Sequence, residues 1–200
     1  MTLPLDESTP PFPGDPGLLV QKLMDYERGD SCCLSAISMS VHLGTHIDAP
    51  LHFVSAGASV EQISLETLIG SAHVVEVITK HGITAEQLRP LLPEPCERLL
   101  IKTSNLDALL PRPAAWLTSS TAKLLVEKKI RLVGIDSPSV DNMNSTHAEA
   151  HHILLEHGGL IIENLMLFQI RAGEYEMICL PLKLVGLEGA PARVILKKKD

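Results

Sequence analysis

The sequence predicts a single α/β domain over residues 1–200. Segments of strand and helix periodicity mix along the whole length, and neither a linker nor a repeat divides them. A chain of 200 residues with 45% apolar content can bury one substantial core. Aromatic residues make up only 3%, so Leu, Ile, Val and Ala must build that core.

The elements follow in order. Pro10, Pro11, Pro13, Gly14, Asp15, Pro16 and Gly17 form an irregular N-terminal segment, because such a run suits neither helix nor central strand. Residues 33–42 alternate: Cys33, Ser35, Ile37, Met39 and Val41 fall on one side, and Leu34, Ala36, Ser38, Ser40 and His42 on the other. The second side turns from apolar to polar, as a strand running into a polar cavity would. Residues 59–69 read as a short helix with Val60, Ile63 and Leu68 inward and Gly70 ending it. A strand over 72–79 follows, then a capping box at Thr84 and Gln87 for a helical turn that stops near Pro90. Residues 98–103 are β-rich. The clearest helix is 118–129, with Ala122, Leu125 and Val126 on one face. An apolar strand over 130–136 leads to a second capping box, Thr146 with Glu149, which opens a helix closed by Gly158-Gly159. Strands over 160–168, 175–180 and 192–197 complete the chain.

Charge and composition remove several classes of partner. A formal net charge of −7 argues against nucleic acid, and Lys197-Lys198-Lys199 is too short a basic run to reverse that. Residues 1–16 contain no basic residue and form no charged-then-apolar leader. The longest apolar run, 160–170, contains Glu163 and is too short to span a bilayer. Cys32, Cys33, Cys96 and Cys179 form no C-x-x-C pair and read as reduced thiols. A soluble, cytoplasmic protein is expected.

The chemistry concentrates in His42-Leu-Gly-Thr-His46-Ile-Asp48-Ala-Pro-Leu-His52, three imidazoles and one carboxylate in eleven residues. Neutral imidazole and carboxylate are the ligand set of Zn²⁺, Mn²⁺ or Fe²⁺ sites that keep a position open for chemistry. On a straight strand, residues four apart are roughly 13 Å apart. His42 and His46 can share an ion only if the chain bends, and Gly44 is where it can. Apolar Val41, Ile47, Leu51 and Phe53 disfavour a set of solvated histidines. A second group, His147, His151, His152 and His157, lies on the helix over 146–157. His151 and His152 point about 100° apart, so one of them is the candidate ligand. His157 suits a dipole partner at the helix C-terminus. The third candidate is Glu163, whose burial in an apolar strand costs several kcal/mol unless it is paired or bound to a cation.

The motif His42-x-Gly-Thr-His46-x-Asp48-x-Pro-x-His52 resembles the signature of the cyclase family of metal-dependent hydrolases, which includes bacterial kynurenine formamidases and the related isatin hydrolases. Pro13-Gly14-Asp15, Val133-Gly-Ile-Asp136-Ser-Pro-Ser139, Ala150-His-His152, His157-Gly158, Glu163 and Pro181-Leu-Lys-Leu184 fall in the family's order. The resemblance implies a swivelling β/β/α fold, a homo-oligomer (dimer or tetramer) and one or two divalent ions, Zn²⁺ first and Mn²⁺ second. It implies His42, His46 and Asp48 around one ion. Asp48, His151 and Glu163 would hold the other, with Glu163 reaching both. His52 would be a proton shuttle. The implied reaction is attack of metal-activated hydroxide on a small-molecule amide or formamide carbonyl, as in N-formylkynurenine hydrolysis. Phe12 stands where kynurenine formamidases carry a substrate-contacting tryptophan; it keeps a stacking face and lacks the indole N–H.

Three other readings fit some of these residues. An isatin hydrolase-like reaction on a cyclic amide fits the same residues. A non-catalytic metal-dependent binding protein would share the ligands, but an intact His52 counts against it. The Fe(II) oxygenase triad matches His46, Asp48 and His151, yet it requires an all-β barrel and leaves His42, His52 and Glu163 unexplained.

Overall fold

A computed structural model describes residues 1–104 and 114–198; Lys199 of the C-terminal basic run lies outside them. In chain order the strands are β1 (Leu19–Met24), β2 (Leu34–Ser38), β3 (His46–Asp48), β4 (Ile69–Glu76), β5 (Gly82–Ile83), β6 (Arg98–Lys102), β7 (Trp116–Leu117), β8 (Leu132–Ile135), β9 (Leu160–Glu163), β10 (Gly173–Pro181) and β11 (Gly189–Lys198). The helices are α1 (Leu65–Leu68), α2 (Ala85–Leu88), α3 (Ser119–Glu127) and α4 (Glu149–Glu156).

Seven strands close into a barrel in the order β10-β11-β3-β9-β8-β6-β4. The run β4-β6-β8-β9 is parallel, and the remaining pairings are antiparallel. This mixed α/β architecture agrees with the expected fold class and differs from the all-β barrel of the oxygenase reading. Every residue of β6, β8 and β9 is buried, because a parallel strand is covered on both faces. Ile47, Leu100, Leu132, Ile162, Met177 and Val194 fill the barrel interior. Leu99, Ile101, Val133 and Ile161, which alternate with them, pack outward against Ala122 and Leu125 of α3 and Leu154 of α4. Strand alternation thus gives the wall two apolar faces and makes the outer one a seat for helices.

Four expectations change. First, the strand foreseen over 33–42 stops at Ser38, pairs only with β1, and is exposed on both faces. Its alternation reflects a ribbon standing off the body, not a cavity wall. Second, residues 59–69 are no single helix: a 3-10 turn (Val60–Gln62) precedes α1, and Ile69 already belongs to β4. Gln62 reaches back to the Ser59 amide and Ser64 accepts from the Glu66 amide, so two successive caps split the segment. Third, α4 is not opened by Thr146. Ala148 takes a left-handed conformation (φ 44°), and the Asp141 carboxylate accepts from the amides of Ala150 and His151. Fourth, β9 ends at Glu163 because Asn164 turns to φ 56° and donates its amide to Ser137. Glu163 is therefore the last residue of its strand, not the middle of a longer one.

Arg98, buried in β6, ties α1 to the barrel wall. Its guanidinium donates to the carbonyls of Glu66 and Thr67 (2.8 Å), which the end of α1 leaves without helical partners, and to that of Ser71 (3.2 Å) in β4. Arg98→Met keeps the apolar stem and strands those acceptors. It should lower folding stability by on the order of 2–3 kcal/mol. Chemical denaturation measures this, and a loss below ~0.5 kcal/mol would mean that the contacts contribute nothing net.

Candidate metal centre

The signature motif leaves the ribbon, bends, and enters the barrel as β3. The bend falls at Gly44, whose φ of 67° is open to glycine, and a side chain there would run into Leu5. Thr45 fixes the crossing: its hydroxyl donates to the Asn164 carbonyl (2.6 Å) and accepts from the Leu3 amide (2.9 Å). β3 then pairs on both edges. His46 stands opposite Glu163 on β9, and Asp48 opposite Gly189 on β11. Ile47 points into the barrel, so His46 and Asp48 share its outer face beside Glu163. Pro50 begins a 3-10 turn (Pro50–His52) that returns His52 to the same place. α4 supplies His151.

These residues meet in two sets. Ligand atoms of His42, His46 and Asp48 lie within 4.8 Å of one another, as do those of Asp48, His151 and Glu163. Asp48 belongs to both. Its Oδ1 is 2.9 Å from His42 Nδ1 and 3.3 Å from His46 Nε2, and its Oδ2 is 3.6 Å from His151 Nε2. Glu163 Oε1 lies 3.2 Å from His151 Nε2, and Oε2 lies 3.6 Å from His46 Nε2. The helix thus selects His151 over His152, which is half-exposed beside Glu156. His147 is exposed ahead of the helix, and His157 Nδ1 donates to the Ile153 carbonyl at its C-terminal end.

The rings are aimed by their other nitrogens. His46 Nδ1 donates to the Gly44 carbonyl (2.9 Å), which can only accept, so Nε2 is the nitrogen turned to the site. His151 Nδ1 donates to Asp141 Oδ2 (2.6 Å), again leaving Nε2 inward. Asp141 escaped the sequence reading. Its importance is that it caps α4 and holds a ring at once, and only the three-dimensional approach of residues 141 and 151 reveals that. The acid five residues past Asp136, just ahead of a helix bearing two histidines, was the available signal.

Does this pocket of side chains suit a cation? Among the described residues, His42 Nε2, His46 Nε2 and Asp48 Oδ2 are buried without a hydrogen-bond partner. Such atoms carry a desolvation cost that a divalent ion would remove. The charge balance points the same way. Burial pulls the His46 imidazole down, but the Asp48 and Glu163 carboxylates outweigh it and raise the group to about 9. Burial likewise opposes charge on His151, and Asp141, Asp48 and Glu163 still hold it well above its ordinary value. Asp48 would be pushed up by burial, yet its histidine partners keep it well below the usual carboxylate range. The carboxylates that favour positive charge on these rings would favour a bound cation for the same reason.

His42, His46, His151 and Glu163 line a cavity of about 520 Å³, with Asp48 fully buried behind them. His52 forms part of its wall, with its ring 4.2 Å from His42 and 5.7 Å from His151 between centroids. Burial lowers His52 to about 4, leaving it neutral at pH 7. Phe53 stacks on His151 at 4.8 Å and meets His52 edge-on at 4.5 Å, so one phenyl ring steadies both. Phe12, 44% exposed, lines the mouth with Pro11 and Met143.

Comparison with known proteins agrees with this geometry. The sequence pattern of the putative cyclase family matches residues 1–142. The kynurenine formamidase of Bacillus cereus is 35% identical over 196 residues, covering 97% of this chain and 94% of that enzyme. A solved structure described as a potential metal-dependent hydrolase with cyclase activity superposes with a TM-score of 0.85 at 32% identity. It covers all of this chain and 96% of the other. Isatin hydrolase A from Labrenzia aggregata gives a TM-score of 0.82 at 25% identity, with 98% and 91% coverage. The chain belongs to the putative cyclase family.

Proposed function

We propose that the protein is a metal-dependent hydrolase of non-peptide C–N bonds, acting on an amide or formamide carbonyl of a small molecule. The observation that carries this reading is the sharing of buried Asp48 by two three-residue ligand sets beneath one cavity. His42, His46 and Asp48 would hold one divalent ion, and Asp48, His151 and Glu163 a second. The nitrogen–oxygen donor set fits Zn²⁺ first and Mn²⁺ second. When bound, such ions supply a Lewis acid for the carbonyl oxygen and an activated water.

The chain's own groups perform the remaining work. Asp48 turns one oxygen toward each set and so fixes their separation. The Gly44 carbonyl and Asp141 hold the His46 and His151 rings in the tautomer that leaves Nε2 free. His52 is the proton carrier. A ring nitrogen takes the proton of the attacking water and returns it to the departing nitrogen, steps worth about 10²–10⁴ in rate. Phe12 offers an aromatic face to the substrate. A formanilide-type compound such as N-formylkynurenine suits these groups, and the likeness to isatin hydrolase extends the reading to cyclic amides.

The exposed β1–β2 ribbon, with Leu19 and Ile37 each 62% exposed, supports a homo-oligomer, because isolated two-stranded ribbons are marginal in water. Free Cys32, Cys33, Cys96 and Cys179 support a reducing, cytoplasmic setting. No helix among the described residues is long and apolar enough to cross a membrane.

Protein purified without chelator should carry stoichiometric divalent metal and hydrolyse N-formylkynurenine. Absence of stoichiometric metal after reconstitution with Zn²⁺ or Mn²⁺ overturns the reading. His52→Ala should cut turnover by about 10²–10⁴ with metal content retained; loss of metal together with activity would make His52 a ligand instead. Asp141→Ala frees the His151 ring and uncaps α4, so competition titration should find metal affinity lower by about 10–100-fold. Finally, His46 near 9 is protonated at pH 7 and must be neutral to ligate. Zn²⁺ uptake at pH 7 should therefore release protons, seen as a calorimetric enthalpy that varies with buffer ionisation. An enthalpy independent of buffer contradicts it.

A further inference from the structure

Three carboxylates line the cavity, and two already have structural or ligand duties. Glu163 faces His46 and His151 and accepts from the Val140 amide; Asp141 caps α4 and holds His151. Asp15 is the third. It closes a tight turn with Phe12, its amide donating to the Phe12 carbonyl at 2.9 Å, with Gly14 between them at φ 98°. The turn therefore presents an aromatic face and a carboxylate to the same cavity, three residues apart. Among the described residues, the Asp15 side chain has one hydrogen bond, accepted by Oδ2 from the Ser40 hydroxyl at 2.8 Å. Ser40 Oγ in turn accepts from the His42 amide at 3.2 Å. That leaves carboxylate lone pairs available for a donor, since each oxygen can accept twice. Among the described lining residues, none is Lys or Arg.

Resting on the hydrolase reading above, we propose that Asp15 is a specificity-determining residue that receives an ammonium group carried by an aromatic substrate, while Phe12 covers its ring. The site would then favour a cationic or amine-bearing anilide over its neutral counterpart, and disfavour one whose only charge is a carboxylate. Charge-assisted hydrogen bonds in a partly closed cavity are strong enough to set such a preference. A purely structural role is the competing account, with Asp15 simply tying the proline-rich segment to the start of the metal motif through Ser40.

Two substitutions separate these accounts. Asp15→Asn keeps an oxygen for the Ser40 hydroxyl and removes the charge; Ser40→Ala removes the tie and keeps the charge. The readout is the ratio of kcat/KM for a formanilide bearing an aminoalkyl side chain to that for plain formanilide. Asp15→Asn should lower this ratio about tenfold, mostly through KM, and the parent's ratio should shrink with added salt. Ser40→Ala should leave the ratio within about twofold of the parent, because a lost tie acts on both substrates alike. A ratio that Asp15→Asn does not move, or that Ser40→Ala moves as far, overturns the proposal. Dissociation constants of the corresponding anilines, measured by calorimetry on the same variants, report on Asp15 without turnover. If neither formanilide is hydrolysed, the hydrolase reading fails while the binding preference still decides the role of Asp15.

Discussion

A carboxylate with no solvent exposure sits at the junction of everything described here. Asp48 is fully buried on a three-residue strand, and an unpaired charge in such a place would cost several kcal/mol. The fold answers with three imidazoles, from His42 on the bend, His46 on the same strand and His151 on α4. Two of those rings are held from outside the set, His46 by the Gly44 carbonyl and His151 by Asp141 and Phe53, while the His42 ring lies against that of His52. The arrangement makes sense as a unit: the barrel wall brings the charge, and the neighbouring turn and helix bring what compensates it.

The barrel explains why so short a strand suffices. β3 is clamped between β9 and β11, so its register is set on both edges and its alternation is enforced. One residue, Ile47, faces the interior and helps close the core; the two around it face the helical layer. Because β9 is parallel to β8 and covered on both sides, a polar residue is tolerated only where the strand ends. Glu163 occupies that end, where Asn164 turns the chain away. Packing and chemistry are divided residue by residue along one hydrogen-bonded edge.

Much of the site was readable in the chain because its signal is local. His42, His46, Asp48 and His52 lie within eleven residues, and Gly44 marks the bend that their spacing demands. Glu163 announced itself by its apolar neighbours. The choice between His151 and His152 was not local: both lie on the helix, and only its docking against β9 turns one inward. The family resemblance supplied His151 all the same, but nothing supplied Asp141, whose approach to that ring exists only in the fold. The misread segments also have physical causes. The alternation over 33–42 is real, but a free-standing ribbon and a half-buried strand share that pattern. Ser59 and Ser64 are both good caps, and two starts so close together break a helix that periodicity alone would draw unbroken. Barrel closure leaves no mark in any single strand.

Asp141 has one more consequence. Its two oxygens serve the first amides of α4 and the ring of His151 together, so the angle at which that helix begins and the direction in which the ring points are a single mechanical variable. The loop before α4, with Asn142, Met143 and Ser145, forms part of the cavity rim. The residues that shape the mouth and the imidazole at the floor are therefore joined through one side chain.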